Sequence, residues 1–132
     1  MKDDIEHRKV NGVQVALAPA PDDDLLWDCY LLNASADDLK AVLVASRGYG
    51  RRDDEQVETS TLRHFYDGVA AGTYVKVEPI QRELFDLAHE YWVSFHADDY
   101  RYEKKYVFVP GSLDEANFIN LPLLGTQGIL HA

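Results

Sequence analysis

Hydrophobic and polar residues alternate along several short stretches of the chain, a pattern that is typical of strands with one buried face. The alternation is clearest at Val13, Val15 and Leu17, and again through the run from Tyr91 to Phe95. Segments containing Asp, Gly, Asn or Pro separate these stretches, as turns do. The pattern predicts seven strands: Gly12–Ala18, Leu25–Asn33, Leu39–Ser46, Thr59–Tyr66, Thr73–Glu78, His89–His96 and Arg101–Val109.

One segment departs from the strand pattern. Ile80, Leu84, Leu87 and Tyr91 recur at helical spacing between the fifth and sixth predicted strands, so we expect one short helix that crosses between two sheets. Seven short strands with one such crossover favour an all-β fold, an immunoglobulin-like antiparallel β-sandwich. Tyr91 then lies near the position of the tyrosine that braces a corner of that fold. A single cysteine rules out the Cys…Trp…Cys pattern of antibody domains.

The length of 132 residues suits one domain, and no internal repeat or flexible linker divides it. We therefore expect a single domain over residues 1–132, with residues 1–11 as a mobile N-terminal arm. An irregular apolar segment, ANFINLPLLGTQGILHA, follows the last predicted strand. It needs cover because exposed it would aggregate. Either it packs over its own sandwich, or it covers an edge strand or docks on a second subunit.

The amino-acid composition indicates the cellular compartment of the protein and excludes some classes of binding partner. Hydrophobic residues make up 46% and charged residues 27% of the chain, which is ordinary for a globular protein. The net charge of −10 opposes binding to nucleic acid or to an anionic membrane. Cys29, the only cysteine, lies in an apolar run and fits a reducing compartment. Neither a signal peptide nor a membrane-spanning run is evident, so we expect a cytoplasmic protein.

Three arginines in Ser46–Arg52 raise the question of a phosphate-binding loop. Asp53, Asp54 and Glu55 follow at once, and the loop of Asp22–Asp24 is expected at the same end of the sandwich. With Arg82, Glu83 and Asp86, that end carries four positive and eight negative charges, so it should repel phosphate. We expect a structural loop in which Gly48 and Gly50 permit positive φ, the arginines bridge to Asp22–Asp24, and Tyr49 covers the sheet end.

Candidate catalytic and metal-binding residues do not form a recognised motif. His64, His89 and His96 lack metal-ligand spacing and are expected at the surface or at strand edges. Cys29 is expected to be a small buried hydrophobic residue. The sequence therefore predicts no catalytic residue, no cofactor and no metal ligand. The serines considered as nucleophiles, none of them in a nucleophile-elbow motif, are Ser46, Ser60, Ser94 and Ser112.

Aspartates cluster in the even-numbered loops of the predicted sandwich. Converging carboxylates can build a calcium site, but their spacing matches no defined calcium loop, so we expect solvated acids. Lys40 and Arg101 are the nearby bases. The five aspartates expected at this end are Asp37, Asp38, Asp67, Asp98 and Asp99.

Several runs resemble a known group of sequences: WDCYLLNASADDLKAVLVASRGYG, TSTLRHF, YVKVEPIQRELFDLAHEYWVSF and LPLLGTQGIL. From Gly12 onward the chain resembles short bacterial proteins of unknown function that are sometimes named phenylalanyl-tRNA synthetase alpha subunit. It is more distantly similar to the β-rich domain that accompanies small MutS-related domains. Neither resemblance supplies an active site. Arg82-Glu83 and Arg63-His64-Phe65 do not match the ATP-binding motif of a class II synthetase core.

These observations favour a non-catalytic interaction module that binds an unknown protein partner or forms a homodimer. Tyr100, Tyr102 and Tyr106 are the aromatic residues expected to serve as anchors. The alternative is a nucleic-acid-associated accessory domain of tRNA or DNA metabolism. An enzyme, including a synthetase-related one, is a distant third possibility.

Overall fold

The computed structural model describes residues 10–132, which fold into an all-β structure. The expected N-terminal arm therefore falls mostly outside the described residues, while Val10 packs against the core. The strands of the described region are β1 (Val13–Pro19), β2 (Leu26–Asn33), β3 (Leu39–Arg52), β4 (Glu55–Glu58), β5 (Leu62–Val69), β6 (Thr73–Gln81), β7 (Ala88–Ala97), β8 (Tyr100–Phe108), β9 (Ile119–Asn120) and β10 (Gln127–His131).

The strands form two antiparallel sheets. Sheet A has the order β6-β2-β1-β10-β9. Sheet B has the order β3-β7-β8, and both β4 and β5 pair with the free side of β3. β5 pairs with the first half of β3, and β4 pairs with its second half beyond Gly48. Together they act as one bent edge strand, so β3 has a partner on both sides over most of its length, while Gly50–Arg52 pair with β4 alone.

Each of the seven predicted strands overlaps a strand of the structure. The fourth is displaced toward the C-terminus, and β4, β9 and β10 were not predicted. The chain does pass from sheet A to sheet B in the predicted segment, through a three-residue 3-10 helix, Arg82–Leu84, and not through a longer helix that reaches from Ile80 to Tyr91. Ile80 still belongs to β6 and Tyr91 to β7, and both are buried by facing the core from a strand.

One main core lies between the two sheets. Alternate residues of β1 and β2 face alternate residues of β3 and β7, and Trp27 fills the end of the core near the 3-10 turn, against the rings of Phe85 and Phe118. Cys29 is completely buried, as predicted. Tyr106 is also completely buried, and its hydroxyl donates a hydrogen bond to the carbonyl of Val13, 2.5 Å away.

The C-terminal segment packs on its own domain. β10 pairs with β1, and Leu121 lies on the outer face of sheet A against Ala16, Ala18 and Leu32, forming a second, smaller core. Gly128 is required at this pairing, because a Cβ atom there would lie 2.3 Å from the carbonyl oxygen of Leu17. Of the two interpretations of this segment, the structure therefore shows intramolecular packing that covers the edge of β1.

Candidate functional site

The outer face of sheet B exposes three large apolar side chains that lie next to one another. Leu43 on β3 pairs with Phe65 on β5. Two residues further along β3, Ala45 pairs with Trp92 on β7, so Trp92 lies diagonally across from Leu43. Phe65 is 63% exposed, Trp92 44% and Leu43 37%. We call these three residues the sheet B patch. A contiguous apolar patch on the centre of a sheet is a typical binding surface.

Basic side chains surround the sheet B patch. Arg63 lies beside it on β5, and Lys105 pairs directly with Trp92. Neither has an ion-pair partner among the described residues. Whereas the chain carries a net charge of −10, the outward positions of sheet B carry six basic residues and four acidic ones. The basic residues are Lys40, Arg47, Arg51, Arg63, Arg101 and Lys105, and the acidic ones are Glu58, Asp67, Glu90 and Glu103.

A second feature is a cleft on the side of the sandwich where β5 of sheet B and β6 of sheet A separate from each other. We call it the β5–β6 cleft. Its polar centre is Glu78 on β6, whose Oε1 atom accepts a hydrogen bond from Ser46 Oγ at 2.6 Å. The same oxygen lies 2.7 Å from Nε2 of His64 on β5. Strand alternation points all three side chains inward, and the cleft has a volume of about 200 Å³.

This constellation contains the residue types of a hydrolytic triad in the wrong order. Glu78 lies between Ser46 and His64, because both residues contact the same carboxylate oxygen. In a working triad the imidazole lies between the hydroxyl and the carboxylate, so that it can take the hydroxyl proton. Here Ser46 donates that proton to a carboxylate acceptor. The geometry therefore activates no nucleophile, and Glu78 acts as a hydrogen-bonding centre.

Buried groups line the inner wall of the cleft. His89 is buried, and its Nε2 atom lies 2.7 Å from the carbonyl oxygen of Leu84, which can only accept a hydrogen bond. Burial lowers the pKa of His89, so the ring is neutral with its proton on Nε2. Burial raises the pKa of the Tyr91 hydroxyl and of the Cys29 thiol beside it. The Tyr91 hydroxyl has no oxygen or nitrogen partner among the described residues.

The arginine segment is a β-hairpin and not a loop. β3 runs through Arg52, and the turn consists of Asp53 and Asp54, both with positive φ. Gly48 and Gly50 are extended, contrary to expectation. Close packing favours glycine at both positions: a Cβ atom on Gly48 would lie 3.2 Å from the Thr59 side chain, and one on Gly50 would lie 3.1 Å from the Leu87 side chain.

The predicted bridges to Asp22–Asp24 are also wrong. Arg47 pairs with Glu58 and Glu90, and its guanidinium lies over the ring of Tyr49, which is on the outer face of sheet B. Arg52 makes two hydrogen bonds to Asp86, and these lower the pKa of that carboxyl group. The arginines are thus bound within the same end of the sandwich, as structural residues.

Four of the five clustered aspartates come together as predicted. Asp37 and Asp38 line one shallow depression with Asp98 and Asp99, beside Lys40. Asp67 is not part of it. Within residues 10–132, no three His, Cys, Asp or Glu side chains are arranged to hold a metal ion.

Several predicted roles are wrong because the side chains concerned face the interior of the sandwich. Tyr106 is buried and Tyr102 stacks on Phe95 inside the sandwich, so neither is a surface anchor. His89 is buried and not at the surface. The Tyr91 hydroxyl has no oxygen or nitrogen partner among residues 10–132, so it does not brace a corner there. The exposed position of Trp92 was missed, although the inward phase of Tyr91, Val93 and Phe95 implies that Trp92 points outward.

No protein-family model, curated protein or solved structure matches this chain. The helical segments of the described region are two 3-10 turns of three residues each, and none is long and apolar enough to cross a membrane.

Proposed function

We propose that this protein is a non-catalytic interaction module that binds an acidic protein segment through the outer face of sheet B. The observation that carries the proposal is the sheet B patch, in which Trp92, Phe65 and Leu43 are exposed side by side. Trp is among the residues that contribute most to binding energy at protein interfaces. The partner's apolar side chain would pack on Trp92 and exclude water from it.

Charge defines the partner further. Arg63 and Lys105 flank the patch without carboxylate partners in the described part of the chain, so an incoming acidic segment would meet unneutralised positive charge. The two ends of the sandwich carry exposed aspartates, which repel that segment elsewhere on the surface. Complementary charge of this kind speeds association and orients the partner more than it adds affinity.

We also propose that the sandwich is immunoglobulin-like and cytoplasmic. In a sandwich of that kind, strands A, B and E lie in one sheet and strands C, F and G in the other. The adjacent β1, β2 and β6 suit the first set, and β3, β7 and β8 suit the second. The unpaired Cys29 suits a reducing compartment.

The test is selection from a displayed peptide library with the purified protein. We expect the selected peptides to combine Asp or Glu with a large apolar residue. Trp92→Ala should weaken their binding by about 30-fold or more, as truncation of a central anchor does. Leu25→Ala, which removes a side chain 67% exposed outside the patch, is the matched control and should bind as wild type. Equal binding by Trp92→Ala, or selected peptides that are basic, would refute the proposal.

Nucleic-acid binding is the second candidate, because aromatic and basic residues on one sheet face also form platforms for single-stranded nucleic acid. Titration with oligo(dT) and oligo(U) over a salt series separates the two proposals. Affinity that falls steeply with salt and requires Trp92 would favour nucleic acid. Self-association is the third outcome, and sedimentation of wild type beside Trp92→Glu would detect it.

A further inference from the structure

The β5–β6 cleft is separate from the sheet B patch, because it lies between the two sheets and not on the outer face of one. Its volume of about 200 Å³ is below the range of roughly 300–1,000 Å³ for drug-sized ligands. Apolar atoms form most of its wall, and Ile80, Leu84 and the half-exposed Leu62 at its mouth contribute to it. The cleft therefore has room for a small molecule with a short apolar part.

Apart from the Tyr91 hydroxyl, which can donate or accept, the buried side-chain atoms left without a partner in the cleft are acceptors. Ser46 and His64 both contact Oε1 of Glu78, and Oε2 receives no hydrogen bond from residues 10–132. His89 donates from Nε2 to a backbone carbonyl, which leaves Nδ1 as an acceptor. A ligand that complements these atoms must donate hydrogen bonds, and a carboxylate as one acceptor makes a charged donor the strongest choice.

His64 is the one basic side chain of the described region that contacts Glu78 in the cleft, and it contacts Oε1 only, so no cation of the described region contacts Oε2. Arg47 lines the cleft, but its guanidinium already binds Glu58 and Glu90. Lys76, on the same strand as Glu78, lies 3.6 Å from Asp28. The Glu78 side chain is only 13% exposed, so water screens its charge less than it screens a surface carboxylate. A cation of the right size would gain from this position.

We propose that the β5–β6 cleft binds a small primary ammonium ion that carries a short alkyl chain. The ammonium group donates to Oε2 of Glu78, and a second N–H reaches the free acceptor nitrogen of His89 or the oxygen of Ser46. The alkyl chain lies against Ile80 and Leu84. Guanidinium ligands and larger amines are disfavoured by the small volume.

The test is a titration of the full chain with n-butylammonium chloride, followed by amide chemical shifts. We expect millimolar binding, as suits a five-heavy-atom ligand, with shifts concentrated at Ser46, Glu78 and His89. Neutral 1-butanol and anionic butyrate should bind at least about tenfold more weakly, because a hydrogen bond to a charged group contributes a factor of roughly 10–100. Glu78→Gln should cause a similar loss, since the amide keeps its shape and removes its charge.

Control variants keep the outcome interpretable. Glu103→Gln removes an exposed carboxylate on the outer face of sheet B and should leave butylammonium binding unchanged. Leu62→Lys places a tethered ammonium at the mouth of the cleft, at a position that tolerates change, and should weaken butylammonium binding by competition. This second variant carries the test if Glu78→Gln does not fold. Equal binding of butanol and butylammonium, undiminished binding by folded Glu78→Gln or Leu62→Lys, or no saturable binding would each overturn the proposal.

Discussion

Two buried tyrosines allow a matched test of the hydrogen-bonding pattern in the core. Tyr91 and Tyr106 pair across β7 and β8 and are at most 1% exposed. The hydroxyl of Tyr106 donates to the carbonyl oxygen of Val13, whereas the hydroxyl of Tyr91 has no oxygen or nitrogen partner in the described region. Replacing each tyrosine by phenylalanine deletes the same atom from two different environments.

The two substitutions should differ in their effect on the free energy of unfolding, because only Tyr106→Phe removes a hydrogen bond to oxygen. Tyr106→Phe removes a buried hydrogen bond and leaves the Val13 carbonyl with one partner fewer, which should cost about 1–2 kcal/mol. Tyr91→Phe removes a buried hydroxyl whose desolvation is not repaid, a penalty of about 1–3 kcal/mol for such groups. The neighbouring Cys29 thiol, a weak partner, offsets part of that penalty. We expect Tyr91→Phe to be neutral or to stabilise by up to about 1 kcal/mol.

Urea unfolding monitored by circular dichroism measures both changes at once, and the two variants serve as controls for each other. Equal slopes with respect to urea concentration would show that the comparison is between similar native and unfolded states. If Tyr91→Phe destabilises the protein as much as Tyr106→Phe, the Tyr91 hydroxyl has a strong partner and the reasoning is refuted.

Two further predictions concern the C-terminal strand and the buried histidine. Gly128→Ala should lower the free energy of unfolding, measured in urea, by about 3 kcal/mol, because the added Cβ would meet the Leu17 carbonyl. The control, Gly72→Ala, has open space around a positive φ and should cost about 1 kcal/mol. Equal costs would contradict the observed β1–β10 pairing. Burial lowers the pKa of His89, so the unfolded chain, with its ordinary pKa of about 6.5, takes up the proton first as the pH falls. Wild type should therefore lose stability between about pH 7.5 and about pH 5.5, and His89→Gln should lose measurably less; an identical loss in both proteins would show that His89 is not responsible.

The sequence by itself indicated seven of the strands in the described region and the burial of the cysteine. Alternation of apolar residues found seven strands because a residue's side in a strand depends only on its neighbours along the chain. The apolar surroundings of Cys29 indicated its burial for the same local reason. The same alternation also implies that Trp92 is exposed, since its neighbours Tyr91, Val93 and Phe95 face inward.

Tertiary structure decided the rest. Ile80, Leu84, Leu87 and Tyr91 have helical spacing, yet they reach the core from two strands and the connection between them, because the sheets supply the buried surface. β10 shows no clear alternation, and it forms a strand because β1 offers an unpaired edge.

The β5–β6 cleft illustrates the same limit most clearly. Ser46 and His64 are 32 and 14 residues from Glu78 along the chain, and no spacing rule connects them. They meet because β3 and β5 are neighbours in sheet B while β6 lies at the adjoining edge of sheet A. Local pattern specifies which side of a strand a residue occupies, but only the packing of one sheet on the other specifies which side chains it meets.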